Sequence, residues 1–144
     1  MTAMTSKERA ERAAEAMWSG DGASQWLGME LLEVDEGTAI LSLEVKKHHT
    51  NGHGNCHGGI IFSLADSAFA FACNSRNQAT VAQNNSITYL TPGKLGHRLI
   101  ATAREVSLTG RSGIYDVSVT TSSGETIAEF RGGSRSVRGT LFDE

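Results

Sequence analysis

The stretch that decides the fold spans residues 51–74 and reads NGHGNCHGGIIFSLADSAFAFACN. Its first part contains four glycines, which let the backbone turn sharply and approach a ligand closely: Gly52, Gly54, Gly58 and Gly59. From Ile60 onward the residues are apolar on nearly every side of a helix, and a helix without a polar stripe is a buried one. Because a Gly-Gly pair precedes it, the first N–H groups of this helix are free to bind an anion.

Asp66 lies in the middle of the predicted buried helix. It is the only acid, lysine or arginine between Lys47 and Arg76. A buried carboxylate without a partner costs free energy or shifts its pKa, so this residue needs an explanation. One interpretation is a cap or a salt bridge to a neighbouring segment, and the other is a nucleophile or general base that faces a cleft.

The same stretch closely resembles the hot-dog thioesterases of the phenylacetate-degradation (PaaI) type. The resemblance rests on Asn-Gly-His, Cys-His-Gly-Gly, Phe-Ser-Leu-Ala-Asp and Ala-Cys-Asn-Ser, all within residues 51–75. It continues through Thr91-Pro92-Gly93, Gly113-Ile-Tyr-Asp116 and Phe130-Arg131-Gly132, and so covers most of the chain. The resemblance implies an acyl-CoA thioesterase, a hydrolase that releases a free acid and CoA. It further implies an aromatic acyl group, as in phenylacetyl-CoA or hydroxyphenylacetyl-CoA.

Length and composition agree with an ordinary globular protein. The 144 residues predict a single domain over 1–144, with residues 1–4 and 139–144 loose. The formal net charge of −3 gives no sign of a nucleic-acid partner, and no run of about 18 apolar residues predicts a membrane span. Two cysteines are too few for a disulfide framework, and the N-terminus lacks an apolar signal segment. We therefore expect a cytoplasmic protein.

The remaining pattern is that of an α+β protein. Thr5 and Glu8 have capping-box spacing ahead of a helix from about Ser6 to Trp18, and Trp26 to Met29 form a short apolar link. Alternation predicts a hairpin and four further strands, at 29–34, 38–45, 80–90, 98–108, 112–121 and 126–137. An antiparallel sheet of this size can curl around the buried helix, which is the hot-dog fold that the resemblance implies.

An open sheet has exposed edges, which favours pairing with a second copy. The resemblance implies a homodimer, and for the PaaI type a homotetramer built as a dimer of dimers. It also implies that the active site is shared between subunits.

The candidate catalytic residues are Gly58, Asp66, Asn51 and His57. Backbone N–H groups at a helix start are preorganised to stabilise an oxyanion, and the resemblance assigns that role to Gly58. Asn51 is either an active-site donor, as the resemblance implies, or a turn residue. His57 is either structural or orients the carbonyl. The resemblance implies that Asp66 acts from the partner subunit, as a nucleophile or as a general base, and the sequence leaves both open.

The candidate substrate and CoA contacts are mostly basic or glycine-rich. Gly59 and Ser67 are expected to line the cleft, although Ser67 can also bond back within the helix. Thr109, Gly110, Arg111 and Ser112 form a turn whose N–H groups lie beside a cation, which suits a phosphate. Lys94 and Arg131 are further candidates, and a solvated surface charge is the alternative for each basic residue.

Two rival interpretations remain. Ligand-type side chains at His48, His49, His53, Cys56 and His57 suggest zinc, but their spacing matches no standard site, so we expect no metal and no cofactor. A non-hydrolytic acyl-CoA-binding or hydratase-like hot-dog protein is the other alternative. Some relatives place a serine or threonine on the strand after the helix. Alignment by register gives Ala82 there, which predicts that a polar assistant is missing.

Overall fold

The computed structural model describes residues 3–144, whose helices and strands follow the predicted order with one addition. The helices are α1 (Ser6–Ser19), α2 (Gly22–Leu27) and α3 (Gly58–Cys73), and a 3-10 turn spans Lys47–His49. The strands are β1 (Glu30–Asp35), β2 (Thr38–Glu44), β3 (Thr80–Tyr89), β4 (Arg98–Thr109), β5 (Ser112–Thr121) and β6 (Thr126–Ser136). None of these helices is long and apolar enough to cross a membrane.

The addition is α2, where the sequence predicts only an apolar link. The Asp21 carboxylate caps it by accepting from the Ser24 N–H at 3.0 Å, and Gly28 ends it with a φ of 87°. The link prediction is wrong because six residues are too few to show a helical period. At α1 the predicted cap is present, since the Thr5 hydroxyl accepts from the Glu8 N–H at 3.1 Å.

All six strands form one antiparallel sheet in the order β1-β2-β4-β5-β6-β3. The sheet curls around α3, whose residues Leu64, Ala65 and Ala68 have no exposed surface. Where the helix comes closest, Gly132 on β6 makes room for an aromatic ring. A Cβ at that position would lie 2.8 Å from the Phe69 ring, closer than packing allows. The α+β hot-dog prediction is confirmed.

The end of the chain lies against the rest of the protein. The sequence predicts loose residues at 139–144, whereas the Asn77 side chain bonds the backbone of Leu141 and Phe142. The Arg9 guanidinium also lies 2.8 Å from the Glu144 carboxylate. Leu141, Phe142 and Glu144 are therefore held by side-chain contacts. Of the first four residues, 1 and 2 lie outside the described part of the chain.

Candidate active site

The start of α3 is built around a histidine cap. His57 is the N-cap residue, and its ring Nδ1 accepts from the Gly59 N–H at 2.9 Å. In the neutral ring the proton then lies on Nε2. The cap uses the Gly59 N–H, which is therefore not available to a substrate. The prediction that Gly59 lines the cleft is thus not supported by a free N–H donor.

Gly58 presents the free donor at this helix end. Among residues 3–144 its N–H has no hydrogen-bond partner, while its carbonyl accepts from the Tyr89 hydroxyl at 2.8 Å. The Tyr89 ring lies directly over Gly58, since a Cβ there would be 3.2 Å from the ring carbon that carries the hydroxyl. A glycine therefore lets β3 and the helix start approach closely. The free N–H lies at the positive end of the helix dipole.

Asn51 is fixed so that its amide nitrogen is the free end. Its Oδ1 accepts from the backbone N–H groups of His53 at 2.9 Å and Asn55 at 3.2 Å. Within residues 3–144, the Nδ2 group has no protein partner. Asn51 and Gly58 line one cavity of about 300 Å³, whose other walls are Asn55, Cys56, Ile61, Tyr89, Leu90, Thr91 and Pro92. The two residues with unused N–H donors thus line one cavity, whose wall is partly polar and partly apolar.

Asp66 lies outside that cavity, two turns further along α3. Eight residues at about 1.5 Å each put it roughly 12 Å from the helix start. Its carboxylate accepts from the Asn85 amide on β3 at 3.1 Å. Burial raises the pKa of Asp66, and the Asn85 N–H acts against that shift by stabilising the charged form.

The structure gives Asp66 a polar neighbour that alignment by register misses. Ala82 is exposed, whereas Asn85 reaches the carboxylate. The reason is a bulge in β3 between Ala82 and Asn84, which reverses the faces of the residues that follow. The aligned position is thus an alanine, as the sequence predicts, but another residue of this strand, Asn85, places a polar side chain on Asp66.

Ser67 faces away from the cleft and towards α2. Its hydroxyl lies 2.8 Å from the Ser24 hydroxyl, which donates to Asp21 at 2.7 Å. Ser24 is buried, with 2% of its surface exposed. The Ser67 hydroxyl therefore connects two helices. The sequence predicts that this hydroxyl lines the cleft or bonds back within the helix, and it does neither.

The predicted CoA contacts are spread over the molecule. Lys94 adjoins the glycine loop, because its backbone pairs with Asn55, and its side chain is exposed. Arg131 binds Asp116 through two hydrogen bonds of 2.6 and 2.8 Å, so its charge is already compensated. This guanidinium lowers the pKa of the Asp116 carboxyl.

The turn from Thr109 to Ser112 lies at the far end of the sheet from Gly58. Gly110 has a φ of 60°, and Arg111 donates to the Ser136 carbonyl at 3.1 Å. Ser136 pairs with the first residue of β3, whereas Tyr89, which bonds Gly58, is the last. Within one chain the turn and the helix start are therefore separated by the length of β3.

The histidine cluster does not converge on a metal site. His49 is buried, accepts from the Lys46 N–H at 2.9 Å through Nδ1, and bonds the Leu27 carbonyl at 2.8 Å through Nε2. Over residues 3–144, no three His, Cys, Asp or Glu side chains are grouped as a metal ion would require. Both His49 nitrogens serve the local fold, so the zinc interpretation has no structural support.

Comparisons with known proteins agree with this architecture. Residues 53–128 match the family model described as Thioesterase superfamily. The chain is 40% identical to the acyl-coenzyme A thioesterase PaaI of Escherichia coli, over 94% of this chain and 97% of that protein. It is 34% identical to human acyl-coenzyme A thioesterase 13, over 72% and 74% of the two chains.

Solved structures give the same result. The E. coli PaaI protein from the phenylacetic acid degradation operon superposes with a TM-score of 0.93, covering 94% of this chain and 99% of that one. A Streptococcus mutans protein bound to acetyl CoA is 28% identical, with a TM-score of 0.75 over 78% and 90% of the chains. The chain belongs to the thioesterase superfamily, whose members are hydrolases of thioester bonds. Its similarity to PaaI extends over nearly its full length.

Proposed function

We propose that this protein hydrolyses acyl-CoA thioesters with an aromatic acyl group, such as phenylacetyl-CoA or hydroxyphenylacetyl-CoA. The observation that carries the proposal is that Gly58, whose N–H has no partner in the described chain, and Asn51 line the same cavity. A thioester carbonyl becomes an oxyanion on attack, and two fixed N–H donors stabilise it. The thiolate of CoA leaves readily, so no strong general acid is needed.

The acyl group is assigned from the walls of the same cavity. Ile61, Tyr89, Leu90 and Pro92 are among the residues that line it, and side chains of this kind suit a ring better than a charged chain. The similarity to E. coli PaaI, from the phenylacetic acid degradation operon, supports an aromatic acid. His57 orients the helix start through its bond to Gly59, a positioning role rather than a chemical one.

We propose that Asp66 of one subunit acts on a thioester held by Gly58 of another. In one chain the two residues are separated by about 12 Å of helix, too far for a carboxylate to reach a carbonyl held at Gly58. In a dimer paired through β3, the two copies of the strand would run antiparallel. The Asp66 end of one chain would then lie beside the Gly58 end of the other. The same arrangement would bring the Thr109 to Ser112 turn, with Arg111, towards the helix start of the other chain, beside Lys94. The two free thiols suit a cytoplasmic location.

A panel of acyl-CoA substrates tests the proposal. The purified protein is assayed for free thiol release from phenylacetyl-CoA, hydroxyphenylacetyl-CoA, benzoyl-CoA, acetyl-CoA and palmitoyl-CoA. We expect the highest kcat/KM with the arylacetyl thioesters. Hydrolysis that is faster with the straight-chain substrates would contradict the aromatic assignment. Calorimetric binding without thiol release would instead identify a non-hydrolytic acyl-CoA-binding protein.

A further inference from the structure

A groove that plays no part in the proposed reaction runs between α1 and β1. It has a volume of about 570 Å³ and is lined by residues of both elements and by Met29. Its floor is apolar, since Ala14, Met29 and Val34 each have 5% or less of their surface exposed and the Trp18 ring packs against the same core. In the described part of the chain, no residue lines both this groove and the cavity at Gly58.

The rim of this groove is acidic. Within residues 3–144, every ionisable side chain that lines it is a glutamate: Glu11, Glu15, Glu30 and Glu33. On β1, Glu33 lies 3.7 Å from Lys7. Glu30 lies 3.5 Å from Arg98. Exposed pairs of this kind contribute little, so the four carboxylates make this an acidic groove although the whole chain has a formal net charge of only −3.

The helix α1 keeps its two arginines away from the acidic groove. Arg9 lies 2.8 Å from the Glu144 carboxylate, and the Arg12 guanidinium lies 4.4 Å from the centre of the Phe142 ring. The two glutamates of α1 are four residues apart and therefore share one face of the helix. Within residues 3–144 neither of them forms a salt bridge. The helix thus turns its positive side to the end of the chain and its negative side to the groove.

A large apolar side chain is exposed at the same place. Leu32 lies at the bulge of β1 between Leu31 and Glu33, lines the acidic groove, and has 53% of its surface exposed. It extends the apolar floor to the surface between the carboxylates. Because β1 and β3 are the two outermost strands of the sheet, a dimer formed through β3 would leave this groove open to other molecules.

We propose that the acidic groove binds a short basic segment of another protein, in which apolar side chains alternate with lysine or arginine. The apolar side chains pack on Leu32 and the floor, while the basic ones face the four glutamates. Charge decides the occupant, since an acidic segment or a second copy of this groove would place like charges opposite each other. The charges that protect β1 from an identical strand therefore attract a basic one. The inference is independent of the proposed function, because it involves neither Gly58 nor Asp66.

Trp18 provides a direct probe of the acidic groove. The chain has two tryptophans, and Trp26 is 80% exposed outside the groove, so Trp26→Phe leaves Trp18 as the only one. This protein is titrated with a peptide in which leucine alternates with arginine. We expect a shift in the Trp18 emission, and a Kd that rises as NaCl is raised from about 0.1 to about 1 M, because salt screens exposed charges. A matched peptide with glutamate in place of arginine should not bind.

The charge is tested by the double variant Glu11→Gln and Glu15→Gln, made at two exposed positions. Loss of two exposed charge pairs predicts that the Kd for the arginine peptide rises about two- to thirtyfold. The matched control is Glu125→Gln with Glu129→Gln, which changes the net charge equally at exposed residues that do not line the groove. The control should keep the Kd of the parent protein.

The apolar contact is tested by Leu32→Ser. Loss of most of a leucine side chain from the interface predicts a Kd about tenfold higher, with less change in its salt dependence. Leu95→Ser is the control, since Leu95 is 58% exposed and does not line the groove. All of these variants should keep the melting temperature and the acyl-CoA turnover of the parent protein.

The outcomes separate the groove from general attraction to an acidic protein. Weaker binding in the groove variants alone supports the inference. An equal loss in the control pair, equal binding of the glutamate peptide, or no binding at low salt would overturn it. A changed oligomeric state of the double glutamate variant in sedimentation would make the groove a contact between copies and also overturn it. A protein that binds the peptide but hydrolyses no acyl-CoA would contradict the proposed function alone.

Discussion

The two free edges of the sheet differ in chemistry. The β1 edge has three acidic residues in six, Glu30, Glu33 and Asp35, and a bulge between Leu31 and Glu33. Lys7 of α1 reaches over this strand and donates to the Val34 carbonyl at 3.0 Å. The β3 edge is ten residues long and has no charged residue. Val81 and Tyr89, near its two ends, are about half exposed.

This difference indicates which edge can accept a second copy. Charges, bulges and short strands are the usual protection of an edge against pairing, and β1 has all three. The β3 strand also has a bulge, between Ala82 and Asn84, but it is longer than β1 and carries no charge. We therefore expect a dimer to form through β3 and not through β1.

The β3 edge is also the strand that touches both halves of the proposed site. Asn85 holds Asp66, and Tyr89, four residues later, holds the carbonyl of Gly58. Four residues of a strand span about 13 Å, similar to the helix distance between Gly58 and Asp66. A strand that pairs antiparallel with its own copy exchanges these two positions. The comparison of edges thus predicts that neither half of the site works without the other subunit.

The largest expected effect is that of Asp66→Asn, which keeps the shape and removes the base or nucleophile. We expect turnover to fall by roughly a thousandfold or more, while binding of the substrate survives. The measurement is kcat and KM on the best acyl-CoA of the panel. Near-normal turnover together with a large drop in the melting temperature would make Asp66 a structural residue.

The same variant has a predictable effect on stability. Burial raises the pKa of Asp66, so the folded protein keeps this proton to a higher pH than the unfolded chain. Stability from this group is therefore present at low pH and is lost as the pH rises through the folded pKa. Above that pH, Asp66→Asn should melt no lower than the wild type. Thermal melts from pH 4 to 8 should show the difference growing with pH.

Gly58→Pro is expected to have the next largest effect, because it removes the N–H donor. The first position of a helix tolerates proline, and loss of one oxyanion donor costs about 10²- to 10³-fold in turnover. Gly58→Ala is the control, since it adds the same Cβ against Tyr89 but keeps the N–H. The donor assignment fails if both variants lose activity equally.

Mixing these two inactive variants tests the shared site directly. If each site takes Gly58 from one chain and Asp66 from the other, half of the randomly mixed dimers contain one intact site. Refolding Asp66→Asn with Gly58→Pro in equal amounts should then restore about a quarter of the wild-type activity. No recovery, with mixed dimers present by mass spectrometry, would place both residues in one chain.

The elements and the lone carboxylate could be predicted from the sequence because each has a local cause. Alternation defines the strands, and an unbroken apolar run makes Asp66 conspicuous in α3. The contacts of Asn85 and Tyr89 could not be predicted, because they depend on which face of β3 meets the helix. The bulge between Ala82 and Asn84 reverses that face, and nothing in the neighbouring residues signals it. The role of Ser67 was missed because its partner lies on α2, a helix too short to recognise.

Introducing one charge on each edge tests whether the dimer forms through β3, with a smaller expected effect on activity. Ser86→Lys on β3 should weaken the dimer by about tenfold, because a two-fold axis brings like charges close across the paired strands. Activity should then fall on dilution. Leu32→Lys on β1, at another exposed position, should change neither property. Sedimentation and activity as functions of protein concentration decide this, and an equal response to both substitutions would remove the distinction between the edges.

The smallest expected effect is that of Tyr89→Phe. Tyr89 connects the β3 edge to the start of α3. The change removes one hydrogen bond to the Gly58 carbonyl and leaves the ring in place. A neutral hydrogen bond contributes about 0.5–1.5 kcal/mol, so we expect turnover to fall about two- to tenfold with little change in melting temperature. The other tyrosine of the chain is the control. Tyr115 is buried and donates to Glu105 at 2.9 Å, so Tyr115→Phe should lower the melting temperature and keep turnover. The reverse pattern would show that the contact between β3 and Gly58 serves the fold alone.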